Sequence, residues 1–166
     1  MPRYLIIDGY NAIAKIRELE SKKDTSLEAS RMHFIKMLLD FMSQKRMFDK
    51  VLVVFDSKEK ALGVRKDSYG DVEVLFATSD RDADRVIVDL LRDSSDEEKI
   101  SVSSDDNFIR NHARAYGCDV ITINELRKII MLKKKNYRSK ITRDKDIEGD
   151  EAKDINAELK KHWRLD

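Results

Sequence analysis

The feature that most constrains the fold of this chain is a series of short apolar runs separated by segments with helical periodicity. The strongest run, residues 51–55, is continuously apolar, which is typical of a strand buried on both faces of a parallel sheet. Four further runs predict strands, at residues 4–7, 72–76, 100–104 and 119–122. Strands that alternate with helices predict an α/β fold, a three-layer α/β/α sandwich with a mainly parallel five-stranded sheet.

The longest helix and the longest loop are predicted from the same periodicity. Apolar residues at helical spacing predict a helix over about residues 26–46, begun by a capping box between Thr25 and Glu28. Residues 57–71 show no clear period and contain two glycines and four basic residues. We expect this segment to be a mobile loop.

Three residues are predicted to mark turns and helix ends. Gly9 follows the first strand, where a turn can use a positive φ at little cost. A helix over about residues 106–116 is expected to stop at Gly117 in the left-handed conformation. Asn124 is expected to cap the next helix.

Composition bears on the cellular compartment and on the number of domains, but it says little about the binding partner. The chain has 166 residues and a net charge of +1, because 33 basic residues nearly balance 32 acidic ones. A single cysteine, Cys118, excludes an internal disulfide and suits a reducing compartment. The apolar runs are too short for a signal peptide or a membrane span, so we expect a cytoplasmic protein without a membrane partner. The glycines form no phosphate-binding fingerprint.

The distribution of charge predicts a division near residue 131. Residues 127–145 carry nine basic residues against one acidic residue, and residues 146–166 are acidic overall. We therefore expect a folded domain over residues 1–131 and a basic, then acidic, extension over residues 132–166. The role of this extension stays open.

Aspartates follow three of the predicted strands. Asp8, Asp56 and Asp105 stand at these strand ends, and Asp84 lies in the first turn of a predicted helix. Ligands of open α/β sheets bind at the carboxyl ends of the strands, so these four carboxylates are expected to converge there.

Converging carboxylates repel one another unless a cation neutralises them. Oxygen ligands without histidine or cysteine favour Mg²⁺ or Mn²⁺, and such an ion can activate water and neutralise phosphate charge. Each aspartate could instead be a simple helix cap. That second interpretation is favoured for three neighbouring acids, Asp80, Asp82 and Asp106, because acidic residues are common at helix starts.

Four short motifs, in order, carry a resemblance to a known family. They are D-G-Y-N at residues 8–11, F-D at 55–56, D-A-D opening a helix at 82–84, and S-S-D at 103–105. Over about residues 3–130 the chain resembles the YacP-like NYN domains of the PIN-like nuclease superfamily.

This resemblance implies a metal-dependent ribonuclease, in which Mg²⁺ or Mn²⁺ is held by Asp8, Asp84 and Asp105. Asn11 would position the substrate or a metal-bound water, and Asp56 would complete the acidic pocket. The implied reaction is hydrolysis of phosphodiester bonds in single-stranded or unpaired RNA, by endonucleolytic cleavage that leaves a 5′-phosphate.

The chain departs from the family pattern at three positions. Arg81 stands where relatives often have Glu, Asp82 where they often have Thr, and Asn107 where many have a second Asp. These departures leave the number of metal ions and the catalytic rate open.

RNA, alone or within a ribonucleoprotein complex, is the expected partner. Basic residues could contact phosphates, and Tyr137 could stack on a base. The predicted substrate-binding residues are Lys58, Arg65, Arg81, Lys133, Lys134, Lys135, Tyr137 and Arg138. A solvated, positively charged helix end is an equally good interpretation of the basic block after residue 131.

Three alternatives remain at this stage. The chain could be an RNA-binding or scaffold protein with an impaired active site, which Arg81 and Asn107 would support. It could be a receiver-type phospho-acceptor domain with Asp56 as the acceptor. It could be a nuclease acting on DNA, although the chain is short for the helical clamps such enzymes carry. The sequence leaves the RNA target, endo or exo mode and oligomeric state open.

Overall fold

The computed structural model describes residues 1–19, 26–44, 47–56, 65–77 and 82–131. Within these ranges the strands are β1 (Arg3–Asp8), β2 (Lys50–Asp56), β3 (Arg65–Tyr69), β4 (Val72–Ala77), β5 (Lys99–Ser103) and β6 (Asp119–Ile121). The helices are α1 (Gly9–Lys15), α2 (Leu27–Gln44), α3 (Ala83–Asp93), α4 (Asn107–Ala115) and α5 (residues 123–131). No helix in these ranges is both long and apolar enough to cross a bilayer.

The strands form one sheet in the order β3-β4-β2-β1-β5-β6. All neighbours are parallel except β3 and β4, which pair antiparallel. The predicted α/β class is therefore confirmed, with one strand more than the five expected. The chain builds the sheet outward from β1 in one direction and then returns to add β5 and β6 on the other side. This reversal creates a crevice between β1 and β5 at the carboxyl end of the sheet.

Two apolar cores, one on each face of the sheet, give the three layers. Alternate residues of each strand enter opposite cores, so Ile6 lies in one core while Leu5 and Ile7 lie in the other. One core receives α1, α2 and α5, and the second receives α3 and α4. The central strands are continuously apolar because both of their faces are covered.

The strand β3 was missed by the sequence analysis, which expected a loop over residues 57–71. Residues 65–69 pair with β4 instead, and Gly70 makes the hairpin turn with φ of 62°. This edge strand is polar because its side chains are exposed or only partly buried, so it lacks the apolar run on which the prediction relied. Lys66 forms an ion pair with Glu73 of β4 at 3.1 Å. Residues 57–64 lie outside the described ranges.

Two helix caps differ from the prediction by one or two residues. Ser26 caps α2, since its Oγ accepts a hydrogen bond of 3.0 Å from Ala29 N–H. The cap was expected at Thr25, which lies outside the described ranges. At the start of α5 the cap is Thr122 rather than Asn124. Thr122 Oγ1 accepts from Glu125 N–H at 3.1 Å, and the Glu125 carboxylate accepts from Thr122 N–H at 3.2 Å, a complete capping box.

Gly117 and Gly9 were both predicted to be structurally important, and the structure requires glycine at the two positions for different reasons. Gly117 follows α4 with φ of 75°, which confirms the predicted left-handed helix end. Gly9, in contrast, begins α1 without a positive φ. A Cβ at this position would clash with the Phe55 ring and lie 2.9 Å from the Val54 carbonyl oxygen. Gly9 is therefore required for the close approach of α1 to β2.

Candidate active site

The four predicted aspartates lie at the same edge of the sheet. Asp8 is the last residue of β1, Asp56 is the last of β2, and Asp105 follows β5 by two residues. Asp84 is in the first turn of α3. The parallel registers bring the ends of β1 and its two neighbours, β2 and β5, to this edge together.

Asp8 is the most buried of these carboxylates, with 9% of its surface exposed. It occupies the cap position of α1 without a capping hydrogen bond from its side chain, although the nearby Asn11 N–H favours its charged form and lowers its pKa. Ser104 Oγ donates a hydrogen bond of 3.1 Å to Asp8 Oδ2. Burial raises the pKa of Asp8 to about 6, with smaller contributions from the negative charges of Asp84 and Asp106.

Asp84 and Asp106 share this electrostatic environment. Burial raises the pKa of Asp84, and the charges of Asp106, Asp82 and Asp56 raise it further, in that order. Within the described ranges, neither Asp8 nor Asp84 forms an ion pair with a basic side chain. The crevice therefore holds uncompensated negative charge when these groups are ionised.

Asp106 and Asp82 also have the structural role that the sequence favoured for them. Asp106 caps α4, since its Oδ1 accepts from Phe108 N–H at 2.8 Å. Asp82 caps α3 by accepting from Arg85 N–H at 3.0 Å. A carboxylate that caps a helix still carries its charge, and the charge of Asp106 raises the pKa of both Asp8 and Asp84.

Asp56 joins the end of β2 to the start of α3. Its Oδ1 accepts a short hydrogen bond of 2.6 Å from the N–H of Ala83, the residue before Asp84. Asp56 is exposed to solvent. Its position fixes the first turn of α3, and thereby the place of Asp84, against the sheet.

Asp105 differs from the other aspartates because both of its oxygens are engaged. Lys15 Nζ donates to Oδ2 at 2.7 Å, and Ile123 N–H donates to Oδ1 at 3.0 Å. Burial would raise the pKa of Asp105, but these two donors together outweigh burial and lower it. Asn11 Oδ1 accepts from the Asp105 N–H at 3.0 Å. Asn11 thus holds the loop after β5 against α1.

The chemistry of the donor set fits a hard divalent cation. Burial raises the pKa values of Asp8 and Asp84, and the charge of Asp106 raises both further, so a hard divalent ion would stabilise these carboxylates in their charged form. In the described part of the chain, however, no three His, Cys, Asp or Glu side chains lie close enough together to form a metal site. The carboxylates therefore share an electrostatic field without forming a closed coordination shell.

Of the predicted substrate-binding residues, the described ranges include Arg65. Its guanidinium lies 4.3 Å from the centre of the Phe76 ring and 3.7 Å from the Asp67 carboxylate. The other seven lie outside the described ranges; they are Lys58, Arg81, Lys133, Lys134, Lys135, Tyr137 and Arg138.

Two residues at this edge, Ser104 and Lys15, were not predicted as site residues, and a third, Asp106, was predicted only as a helix cap. Ser104 was read only as part of a motif, yet its fully buried hydroxyl connects Asp8 to the Asp106 N–H, which donates to it at 3.0 Å. The sequence contained a signal for Asp106, because it is the second of two adjacent aspartates after β5. Lys15 gave no signal, because its partner is 90 residues away in the chain.

Comparisons with known proteins agree with this architecture. The family model described as YacP-like NYN domain matches residues 5–164. A crystal structure of Rae1 (YacP) from Bacillus subtilis superimposes with a TM-score of 0.68 at 25% identity, over 97% of this chain and 94% of that chain. A tryptophan-to-leucine mutant of the same Bacillus subtilis protein gives a TM-score of 0.71 at 23% identity, over 86% of this chain and 83% of that chain. A search of curated protein sequences gives no match.

The strand order separates this fold from the receiver-type alternative. Numbered along the chain, the five parallel strands lie in the order 3-2-1-4-5. Receiver domains have the flavodoxin-like order 2-1-3-4-5. The family match extends over almost the whole chain and includes the residues of the acidic edge. The protein belongs to the family of YacP-like NYN domains, within the PIN-like nucleases.

Proposed function

We propose that this protein is a metal-dependent endoribonuclease that hydrolyses phosphodiester bonds of single-stranded or unpaired RNA. The observation that carries the proposal is the buried Asp8, whose pKa is raised to about 6 beside two further carboxylates. Buried charge of one sign is costly for stability and is retained where it serves binding or catalysis. Family membership supports the nuclease class.

The proposed cofactor is Mg²⁺ or Mn²⁺, held by Asp8 and Asp84. When bound, the ion would supply positive charge for the phosphate and lower the pKa of water. The charge of Asp106, which raises the pKa values of both Asp8 and Asp84, favours it as the third carboxylate. Asp105, the ligand implied by the family resemblance, would first have to separate from Lys15.

The other residues of the edge have supporting roles in this proposal. Ser104 holds the Asp8 carboxylate in one orientation and fixes the loop that carries Asp106. Asp56 positions α3 through the Ala83 N–H, and Asn11 positions the loop after β5. These hydrogen bonds would reduce the reorganisation needed when the ion and the phosphate bind.

RNA is the proposed substrate because family membership supports it and because the chain carries basic residues that could contact phosphates. The predicted contacts of Lys58, Arg65, Arg81 and the basic block after residue 131 are part of this proposal. An intracellular RNA, free or in a ribonucleoprotein complex, would be met in the cytoplasm. The division into a domain at residues 1–131 and an extension remains a prediction, and the family match crosses that boundary.

The first test is cleavage of labelled single-stranded RNA and DNA by the full chain, with Mn²⁺, Mg²⁺ or chelator. We expect ion-dependent cleavage of RNA. Asp8→Asn and Asp84→Asn should each reduce the rate at least ~100-fold, because each removes charge from the proposed cofactor site. Asp119→Asn, at the start of β6 and so at the opposite end of the strands, is the matched control and should keep wild-type activity.

A readout independent of activity accompanies this test. Mn²⁺ should raise the melting temperature of the wild type more at pH 7.5 than at pH 5, because Asp8 must lose its proton to bind the ion. Asp8→Asn should lose this effect. Cleavage that persists in both variants, or in chelator, would contradict the proposal.

One observation favours the second candidate, an RNA-binding protein with an impaired active site. The Lys15–Asp105 ion pair neutralises a carboxylate that the family resemblance assigns to the metal. RNA binding without ion-dependent cleavage would support this candidate. If the Lys15–Asp105 ion pair is the cause of that inactivity, Lys15→Met should restore cleavage. If it is not the cause, Lys15→Met should leave the protein inactive.

A further inference from the structure

Two arginines lie on a small aromatic cluster at the carboxyl edge of the sheet, beyond β2. The Arg65 guanidinium lies 4.3 Å from the centre of the Phe76 ring, and the Arg31 guanidinium lies 5.4 Å from the same ring. Arg31 also donates a hydrogen bond of 2.9 Å to the Tyr10 hydroxyl. The Phe55 ring packs against both Tyr10 and Phe76, at 5.0 and 5.8 Å between ring centres. We refer to these five residues as the arginine platform.

The platform is continuous with the acidic edge. Tyr10 is two residues after Asp8, and Phe55 immediately precedes Asp56. Phe76 is paired in register with Phe55, on the strand next to β2. Because neighbouring strands are about 4.8 Å apart, the platform is about two strand spacings, or ~10 Å, from the end of β1.

The chain segments that form the platform come from several different elements. Arg31 is in α2, Arg65 in β3 and Phe76 in β4, while Tyr10 is in α1. The positions of the two guanidinium groups are therefore set by tertiary packing. An arginine held against a ring loses less freedom when it binds a planar or tetrahedral anion than a mobile lysine does.

Both arginine side chains are at least partly exposed. Arg65 has 58% of its side chain exposed, and Arg31 is half-buried. The contact of Arg65 with Asp67 is 3.7 Å long and joins two exposed groups, so this ion pair contributes little to stability. Arg31 bonds to a neutral phenol, which leaves its charge uncompensated by that contact.

We propose that the arginine platform binds the RNA backbone at a phosphate beside the one cleaved. Arg31 and Arg65 would contact its oxygens, and the edge of the aromatic cluster would contact the adjoining nucleotide. This inference deepens the proposed function, because it assumes that RNA is the substrate. The platform supplies the positive charge that the carboxylates of Asp8 and Asp84 require if a polyanion is to approach them.

A purely structural role is the alternative explanation. Cation–π contacts of this length also stabilise a hairpin, and the platform could serve only to hold β3 on β4. The two roles differ in their effect on RNA binding. A structural role would lower the melting temperature without changing the salt dependence of binding.

The test measures binding of a fluorescein-labelled oligouridine to the full chain by anisotropy, in chelator, so that cleavage cannot interfere. The variants are Arg31→Gln, Arg65→Gln and the double variant. Arg92→Gln is the matched control, because Arg92 is an exposed arginine at the far end of α3 that pairs with Asp89 and Asp93. Melting temperatures are recorded for every variant.

Each single substitution should weaken binding about tenfold, which corresponds to one lost charge-assisted hydrogen bond. The slope of log K against log salt should fall by about 0.7 for each phosphate contact removed. In cleavage assays KM should rise while kcat stays near the wild-type value. Arg92→Gln should bind as the wild type does.

The outcomes separate this inference from the nuclease proposal. If the arginine variants lose RNA binding but the wild type cleaves nothing, the platform is supported and the nuclease proposal fails. If the wild type cleaves RNA through Asp8 while both arginine variants bind normally, the platform inference is overturned and the nuclease proposal stands. Equal weakening by Arg92→Gln, or failure of the wild type to bind RNA, would also overturn it.

Discussion

Asp8 ends β1 and Asp105 follows the neighbouring strand β5 at the same edge of the sheet, yet their surroundings are opposite. Asp8 is buried, faces other carboxylates and has its pKa raised to about 6. Asp105 is paired with Lys15 and with the Ile123 N–H, and its pKa is lowered. Folding therefore disfavours the charged form of Asp8 and favours the charged form of Asp105.

This difference shows that the place of a residue in the topology does not determine its chemistry. Both aspartates follow central strands, so both reach the crevice. Their partners decide what each can do. Asp105 joins α1 to α5 and contributes to stability, whereas Asp8 gains stability only from a proton or a cation.

The largest effect we expect concerns stability against pH. Because folding raises the pKa of Asp8 from 3.8 to about 6, the folded state holds this proton more strongly than the unfolded chain does. The resulting stabilisation is complete below about pH 4 and is lost as the pH rises through 6. Asp8→Asn should remove this loss and stabilise the protein at pH 8 by about 3 kcal/mol in urea unfolding.

Asp105→Asn should give the opposite sign in the same experiment. Its pKa is lowered by folding, so its contribution is present above about pH 4 and is lost as the pH falls through the lowered value. The variant should be less stable than the wild type at neutral pH. If both variants shift stability in the same direction, the contrast between the two aspartates is wrong.

A smaller effect is expected at the capping box that orients one donor to Asp105. Thr122→Ala should lower the free energy of unfolding by about 1 kcal/mol, because it removes the hydroxyl that accepts from Glu125 N–H. Activity that depends on Asp8 should be unchanged. Asn124→Ala is the control, since Asn124 is exposed and does not form the cap. A larger loss from Asn124→Ala would contradict the observed cap.

The smallest effect on stability is expected for the ion pair. Lys15→Met should change the free energy of unfolding by less than about 1 kcal/mol, because Lys15 is 49% exposed. The pKa of Asp105, followed by NMR of its carboxyl carbon, should rise toward its ordinary value. The pKa of Asp8 should stay near 6. A parallel shift of Asp8 would show that the two aspartates form one coupled group.

The architecture was predictable because burial leaves a direct mark on the sequence. Central strands covered on both faces are mostly apolar, so β1 and β2 were found within one or two residues. The sequence also predicted β4, but as an edge strand, and it is internal because β3 pairs with it. The expected position of the aspartates, at one edge of the sheet, followed from the rule that parallel strands bring their carboxyl ends together. The strand β3 left no apolar run in the sequence, because most of its side chains are exposed and can be polar.

The details of the site could not be predicted because they depend on contacts between distant residues. Nothing near Lys15 in the chain indicates that its ammonium group meets Asp105. The arginine platform likewise combines residues from several elements. Local patterns were also insufficient for Gly9, whose role is the close packing against Phe55. Sequence patterns thus identified the elements and their ends, and tertiary contacts determined the state of each side chain.

The pairing of β1 with β5 has a consequence for synthesis of the protein. Asp8 is synthesised before its neighbours Ser104 and Asp106, which lie about 96 residues further along the chain. Contacts of such long range form late, after the intervening loop has been closed. A growing chain that ends before β5 therefore has no acidic crevice, so any hydrolytic activity that depends on it is withheld until translation has passed that strand.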